Sequence, residues 1–306
     1  MSDHDRATAA RAYAAALFAV VVWGASFVAT KTAVRETSAL TVMCLRFGIG
    51  VVVLTAAVVH RGEFVVPTRR DFVRFLALGA VGITLHQWLQ ATGLRTALAS
   101  TTSWIITATP LTMAVVGRVV LGERLGRRQA IGILLGAVGV LLVVSRGDWA
   151  SLARGSFGSF GDLLVSVSTL TWALFSVYSR RGLQRHRAAP MILYVMGTGW
   201  LLGVIPWTLA GKFAEVGRLS AAGWTGIVFL GVLCSGLAYV FWYDALRVLP
   251  TATVGSLLYL EPIVTMIVAA ALIGEAITVA SVVGGLVILG GVRIATWRST
   301  PAGPEQ

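Results

Sequence analysis

The sequence predicts an all-α polytopic membrane protein, with about ten transmembrane helices in two inverted five-helix repeats around a central cavity. Three observations carry this. Hydrophobic residues make up 57% of the 306-residue chain and charged residues only 12%, with a mean hydropathy of +0.82; soluble domains carry about a quarter charged residues. Apolar segments of roughly twenty residues, the length of a bilayer crossing, recur along the chain. One stretch also occurs twice. Residues 101–139 contain Thr109-Pro110-Leu111 and Leu121-Gly122-Glu123, and residues 253–291 contain Glu261-Pro262-Ile263 and Ile273-Gly274-Glu275. Adding 152 converts one set of numbers into the other, and the same shift takes Gly79 to Gly231 and Arg95 to Arg247. A doubled, proline-broken helix of membrane length is a mark of transporter cores built from two related halves.

In chain order, residues 1–11 are polar and are expected to be a disordered cytoplasmic tail. Segment 12–34 is too long for a signal peptide and reads as an uncleaved helix. Segments 38–59, 72–94, 100–120 and 129–144 complete a first five-helix repeat over 12–145. Segments 160–178, 191–210, 222–245, 251–273 and 276–296 form a second over 160–297, and 298–306 is a cytoplasmic tail. No connection is long enough for a soluble domain.

The formal net charge of +12 would point to nucleic acid in a soluble protein. Here the arginines sit in short loops between apolar spans, so they point to lipid headgroups and to topology. With the N-terminus inside, sixteen Lys and Arg fall on the cytoplasmic side and seven outside. The repeat gives a separate check. An odd number of helices per repeat inverts the second copy, which puts the connection at Gly122-Glu123 inside and that at Gly274-Glu275 outside. The first is rich in arginine and 274–278 has none. Cys44 and Cys234 both lie within spans and have neither disulfide nor metal spacing.

Trp23-Gly24-Ala25-Ser26-Phe27 with Lys31, then Leu45-Arg46-Phe47, resembles the opening of an EamA-type member of the drug/metabolite transporter superfamily. Pro110 with Leu121-Gly122-Glu123-Arg124-Leu125 is similar to the end of that family's repeat, and Glu261-Pro262 with Gly274-Glu275 to its second copy. The resemblance covers nearly the whole chain. It implies a ten-helix inverted-repeat transporter with a central cavity, many of whose relatives export amino acids or other small metabolites. The second repeat departs at its start, where Thr171-Trp172-Ala173-Leu174 keeps the Trp but lacks the Gly and the following Lys.

Polar groups inside spans are costly, about 2.5 to 3.5 kcal/mol for an ionised one at a helix centre, so each needs a reason. His86, Gln87 and Gln90 lie in the third span, and the shift of 152 brings them to Ala238, Tyr239 and Trp242, with Tyr243 adjacent. The two faces suit cavity walls; packing between helices is the competing reading. Trp23, Trp104 and Trp172 lie away from span ends, where they either pack or stack on a substrate. His86 is a candidate proton carrier or a neutral, bonded histidine. Arg46 either binds a carboxylate or reaches the outer headgroups, and Lys31 is expected to reach them. Glu261, just before Pro262, is either a proton-sensitive gate or a support for the helix break. Tyr259 joins this candidate set. Pro110 and Pro262 are helix breaks. Glu123 and Glu275 are expected to cap the helices that follow them.

The function these features predict is secondary transport by alternating access: export or exchange of small polar metabolites such as amino acids. The alternative is a flippase of lipids or lipophilic compounds, or a drug exporter, of the same fold. An intramembrane enzyme would need a nucleophile with a base or a ligand cluster, and neither pattern occurs. No catalytic residue, metal or cofactor is assigned. Expected partners are the small-molecule substrate and membrane lipid, with no nucleic acid, and the chain is read as monomeric. The expected location is the plasma (inner) membrane.

Overall fold

The computed structural model describes residues 3–122, 125–155, 158–183 and 185–296. The described residues form helices and connecting loops, with no strand among them. In chain order the spans are α1 (Asp3–Glu36), α2 (Ala39–His60), α3 (Arg69–Gly93), the bent pair α4 (Ala99–Thr107) and α5 (Thr109–Leu121), and α6 (Arg127–Val144). The second set is α7 (Phe160–Leu183), α8 (Ala188–Leu209), α9 (Ala221–Val248), the pair α10 (Thr251–Leu257) and α11 (Glu261–Ile273), and α12 (Val279–Thr296). Nine of these helices are long and apolar enough to cross a membrane among the described residues, and the bent pair makes a tenth span.

The disorder expected before residue 12 is corrected: helix α1 already begins at Asp3. Its opening segment is rich in alanine, the strongest helix former, so the first span extends backwards without a break. The proline breaks lie where expected but differ between repeats. The pair α4–α5 bends by 44° at Ala108. Between α10 and α11 the chain runs through one 3-10 turn, Leu258–Leu260, and stays a single span. Pro110 and Pro262 each stand in the first turn of the restarted helix, where no intrahelical N–H donor is lost. Both restarted helices end on a left-handed glycine, Gly122 at φ 70° and Gly274 at φ 67°, a conformation that other residues adopt only at a cost.

The two repeats pack through a pseudo-twofold. Helix α1 packs on α9 and α11, and its counterpart α7 packs on α3 and α5; α2 packs on α9, and α8 on α3. The most extensive interface is α6 against α12, which are themselves related by the shift of 152. There a Cβ on Gly132 would come within 2.5 Å of the Gly291 carbonyl oxygen, and one on Gly139 within 2.7 Å of that of Gly284. Since 132 maps to 284 and 139 to 291, these two contacts are one contact seen from both ends. Such closeness requires residues without side chains, and the reward is dispersion contact along the crossing.

A feature absent from the sequence reading recurs in both halves. The third span of each repeat carries a π-helical segment, Ala80–Leu85 in α3 and Phe229–Leu237 in α9. Shifted by 152, the first falls within the second. Each segment leads directly into the stretch that holds the candidate residues, His86 in one half and Ala238 in the other.

Candidate functional site

Both third spans press against the second span of the opposite repeat. A Cβ on Gly79 would meet Val195 O of α8 at 2.6 Å, and one on Gly231 would meet Ile49 of α2 at the same distance. This clamps the π-helical segments midway along the third spans and aims the residues that follow them. His86 is buried. Its Nδ1 lies 2.9 Å from the Ser168 carbonyl oxygen and 3.3 Å from Thr171 Oγ1 of α7, and its ring is 4.9 Å from that of Trp172. This is the bonded arrangement of the two sequence readings. Trp172 in turn lies 5.0 Å from Phe175.

Arg46 stays inside the protein. It is 7% exposed, its Nε donates to Ser235 Oγ at 3.2 Å, its Nη1 reaches Gln87 Oε1 at 3.4 Å, and it sits 4.9 Å from the Phe47 ring. Gln90 is buried on the same helix. On the other side, Trp23 gathers Tyr239 at 5.4 Å and Trp242 at 5.2 Å, and its indole N–H donates to the Cys234 carbonyl inside the π-helical segment of α9. Tyr239 lies within electrostatic reach of both Arg46 and Glu261. Tyr243 packs against the cluster that holds Trp172 and Phe175.

Glu261 opens α11 beside Gly24, where an added Cβ would meet the Glu261 carbonyl at 2.8 Å. That carbonyl accepts from Thr265 Oγ1 at 2.9 Å. The carboxylate itself has no hydrogen-bond or ion-pair partner among the described residues. At the equivalent place Thr109 donates to the Ile106 carbonyl at 2.5 Å, so the residue before Pro110 bonds back across its break and Glu261 before Pro262 does not. Arg46 likewise has no acidic partner among the described residues. The spans therefore hold one basic and one acidic group, Arg46 and Glu261, without a charged partner among the described residues.

Two candidates lie away from this group. Trp104 is 2% exposed and packs with Ala108, Leu111 and Ile288, its ring against Gly285. Its indole N–H meets no acceptor among the described residues. Tyr259 is half-buried beside the same cluster.

The end of the molecule where α1 finishes corrects two expectations. Lys31 does not reach outward. It is 6% exposed, donates to the Ala97 carbonyl and lies 3.5 Å from the Glu275 carboxylate. Glu275 does not cap α12, which begins four residues later. It accepts from Ala99 N at 2.9 Å, Ser100 N at 3.1 Å and Ser100 Oγ at 2.9 Å, and so caps α4 of the other repeat. The physical reason is that Leu98 precedes α4 and offers no side-chain acceptor, so the free N–H groups there require one from elsewhere. Glu123 lies outside the described residues.

The same end holds two more carboxylates that cap foreign helices. Glu36 accepts from Ser220 N and Oγ, both at 2.8 Å, at the start of α9. Glu215 accepts from Ser38 N, Ser38 Oγ and Thr41 Oγ1 at the start of α2, and from Lys212 Nζ. Burial alone would raise the Glu215 pKa, but its bonds from Lys212, Ser38 and Thr41 outweigh that and hold the carboxyl well below its ordinary 4.5.

A cavity of about 660 Å³ opens at the opposite end, between the first half of α3 and the last half of α7, reaching inward to Phe175. It includes none of the candidate cavity residues.

Ten spans, two repeats related by a pseudo-twofold and polar groups buried at mid-span define an integral membrane transporter. The chain belongs to the EamA-like transporter family, whose model matches residues 10–145 and 159–297. It is 27% identical over 277 residues to an uncharacterized transporter of Archaeoglobus fulgidus, covering 90% of this chain and 94% of that one. It is 26% identical to a probable amino-acid metabolite efflux pump of Salmonella typhimurium, over 91% of this chain and 92% of that protein. It is also 26% identical to a probable terminal-alkyne amino-acid exporter of Streptantibioticus cattleyicolor, over 93% of both. One solved crystal structure superposes with a TM-score of 0.64 at 21% identity, over 93% of this chain and 96% of that one, a likeness of fold.

Proposed function

We propose that the chain exports α-amino acids or closely similar small zwitterions across the plasma membrane by alternating access. The observation that carries this is that Arg46 and Glu261, opposite in kind and both within spans, have no charged partner among the described residues. An arginine fork already oriented by Ser235 and Gln87 suits a carboxylate. The Glu261 carboxyl, on the helix that packs against Gly24 next to Trp23, suits an ammonium group when ionised. In this reading Trp172, tilted against His86, meets the side chain of the substrate. One relative is named a probable amino-acid metabolite efflux pump and another a probable terminal-alkyne amino-acid exporter, names that support the same class.

The arginine distribution supports both termini lying in the cytoplasm, so that the end carrying Lys31 and Glu275 faces outward. That end is bridged by Lys31 and Glu275 and capped by Glu36, Glu215 and Glu275. We therefore read the conformation as closed to the outside. The apolar side cavity favours the second reading, export of lipophilic compounds. Proteoliposomes preloaded with a labelled amino-acid panel decide between them. Efflux of one or more amino acids that falls at least about tenfold in Arg46→Ala supports the proposal, tenfold being the loss of a single charge-assisted contact. Movement of a lipophilic dye or labelled lipid with no amino-acid efflux refutes it.

A further inference from the structure

We propose that the cleft between α3 and α7 is a binding site for the headgroup of an anionic phospholipid taken from the leaflet at that end. Helix α7 packs closely on the second half of α3 and hardly on its first half, so the two helices splay apart. The splay leaves the cavity of about 660 Å³, ample for a headgroup and the first carbons of its chains.

The chemistry of the walls is divided. At the mouth stand Arg70, Arg74 and Arg185, with Asp71 and His186. Asp71 is shared between Arg74 at 3.2 Å and His186 at 3.5 Å, so its charge is already taken up. Arg70 and Arg185 have no acidic partner among the described residues, and both are exposed, leaving the mouth with an unbalanced positive charge. Deeper in, the wall is Leu78, Val81, Leu174 and Phe175. Tyr178, 57% exposed, also lines the cleft. Cations at headgroup level above an apolar wall match a ligand that is anionic at one end and hydrocarbon at the other. A small zwitterion would leave the apolar wall unfilled, and a neutral lipid would leave the two arginines unmatched. The site is separate from the group around Arg46 and does not depend on the substrate proposed for it.

Native mass spectrometry of the detergent-purified protein, with phosphatidylglycerol and phosphatidylcholine added at equal concentration, tests this. The expected result is selective retention of phosphatidylglycerol. In Arg70→Ala/Arg185→Ala that retention drops by about thirtyfold, the effect of removing two headgroup-facing arginines. A control double variant, Arg127→Ala/Arg128→Ala on α6, keeps it. Equal retention of both lipids overturns the proposal, as does an equal loss in the control. Decanoate, a free amphipathic acid, distinguishes the source: if it binds in an arginine-dependent way and phosphatidylglycerol does not, the lipid assignment is wrong.

Discussion

The Lys31 ammonium lies 3.5 Å from the Glu275 carboxylate, joining the first helix of one repeat to the loop behind α11 of the other. Both side chains are more than nine-tenths buried. Taking one partner away from a buried pair costs about 3 to 5 kcal/mol, because the other charge remains. The two partners are unequal here. Without Lys31, Glu275 keeps three donors from α4; without Glu275, Lys31 keeps one carbonyl. Glu275→Ala is therefore expected to lower thermal stability more than Lys31→Met. Equal losses would show that the capping of α4 contributes nothing.

Opening that end must part α11 from α4 and α1, and so break the same pair. Lys31→Met is expected to raise the rate at which an outside thiol reagent labels Ser103→Cys, buried one turn below Ser100. An unchanged rate would mean that the pair is static during transport.

The topology is tested with two single cysteines. Ile277→Cys lies in the loop before α12 and Gly126→Cys in the loop before α6, both exposed. The first is expected to react with a membrane-impermeant reagent added to whole cells, and the second to stay unlabelled. The reverse pattern would invert the orientation.

Glu261→Gln keeps the size and removes the charge. Its carboxylate supports no neighbour within the described residues, so folding and insertion are expected to stay normal while transport loses its dependence on pH. If that dependence survives, the gate lies elsewhere, with His86 the first place to look. Trp172→Ala is expected to weaken transport with little loss of protein, whereas Trp104→Ala empties a packed site and costs about 3 to 5 kcal/mol of stability.

Glu215 gives a pH effect on stability with a fixed sign. Its folded-state pKa is lowered, so its contribution is complete above the ordinary value of 4.5 and is lost as pH falls below it. The wild type is expected to melt above Glu215→Gln at neutral pH, and the gap to close on acidification. A gap that widens in acid would contradict the bonding around this residue.

The spans, the breaks at Pro110 and Pro262 and the doubling by 152 follow from apolar length and residue spacing, which are local properties of the chain. The polar contacts do not. Lys31 stands near a span end, and nothing within its own helix indicates that Glu275, 244 positions on, would meet it. Glu275 was assigned to the helix next in sequence because a cap is ordinarily local, and it serves a helix from the other repeat. Trp104 and Trp172 look alike in the sequence, both within spans, yet one lies against Gly285 and the other against His86. The π-helical segments add a further difficulty. Each shifts the register of everything beyond it, so a helical wheel drawn at 3.6 residues per turn misplaces the faces of α3 and α9.

Those segments also bear on what the relation between the two halves rests on. Residues 80–85 and their counterparts 232–237 share only the final leucine, Leu85 and Leu237, yet both stretches distort the helix at the same place in their repeat. The likeness of the halves therefore lies in the path of the backbone rather than in its side chains, with each bend seated against the second helix of the other half. One bend leads into a histidine and an amide, the other into a set of rings.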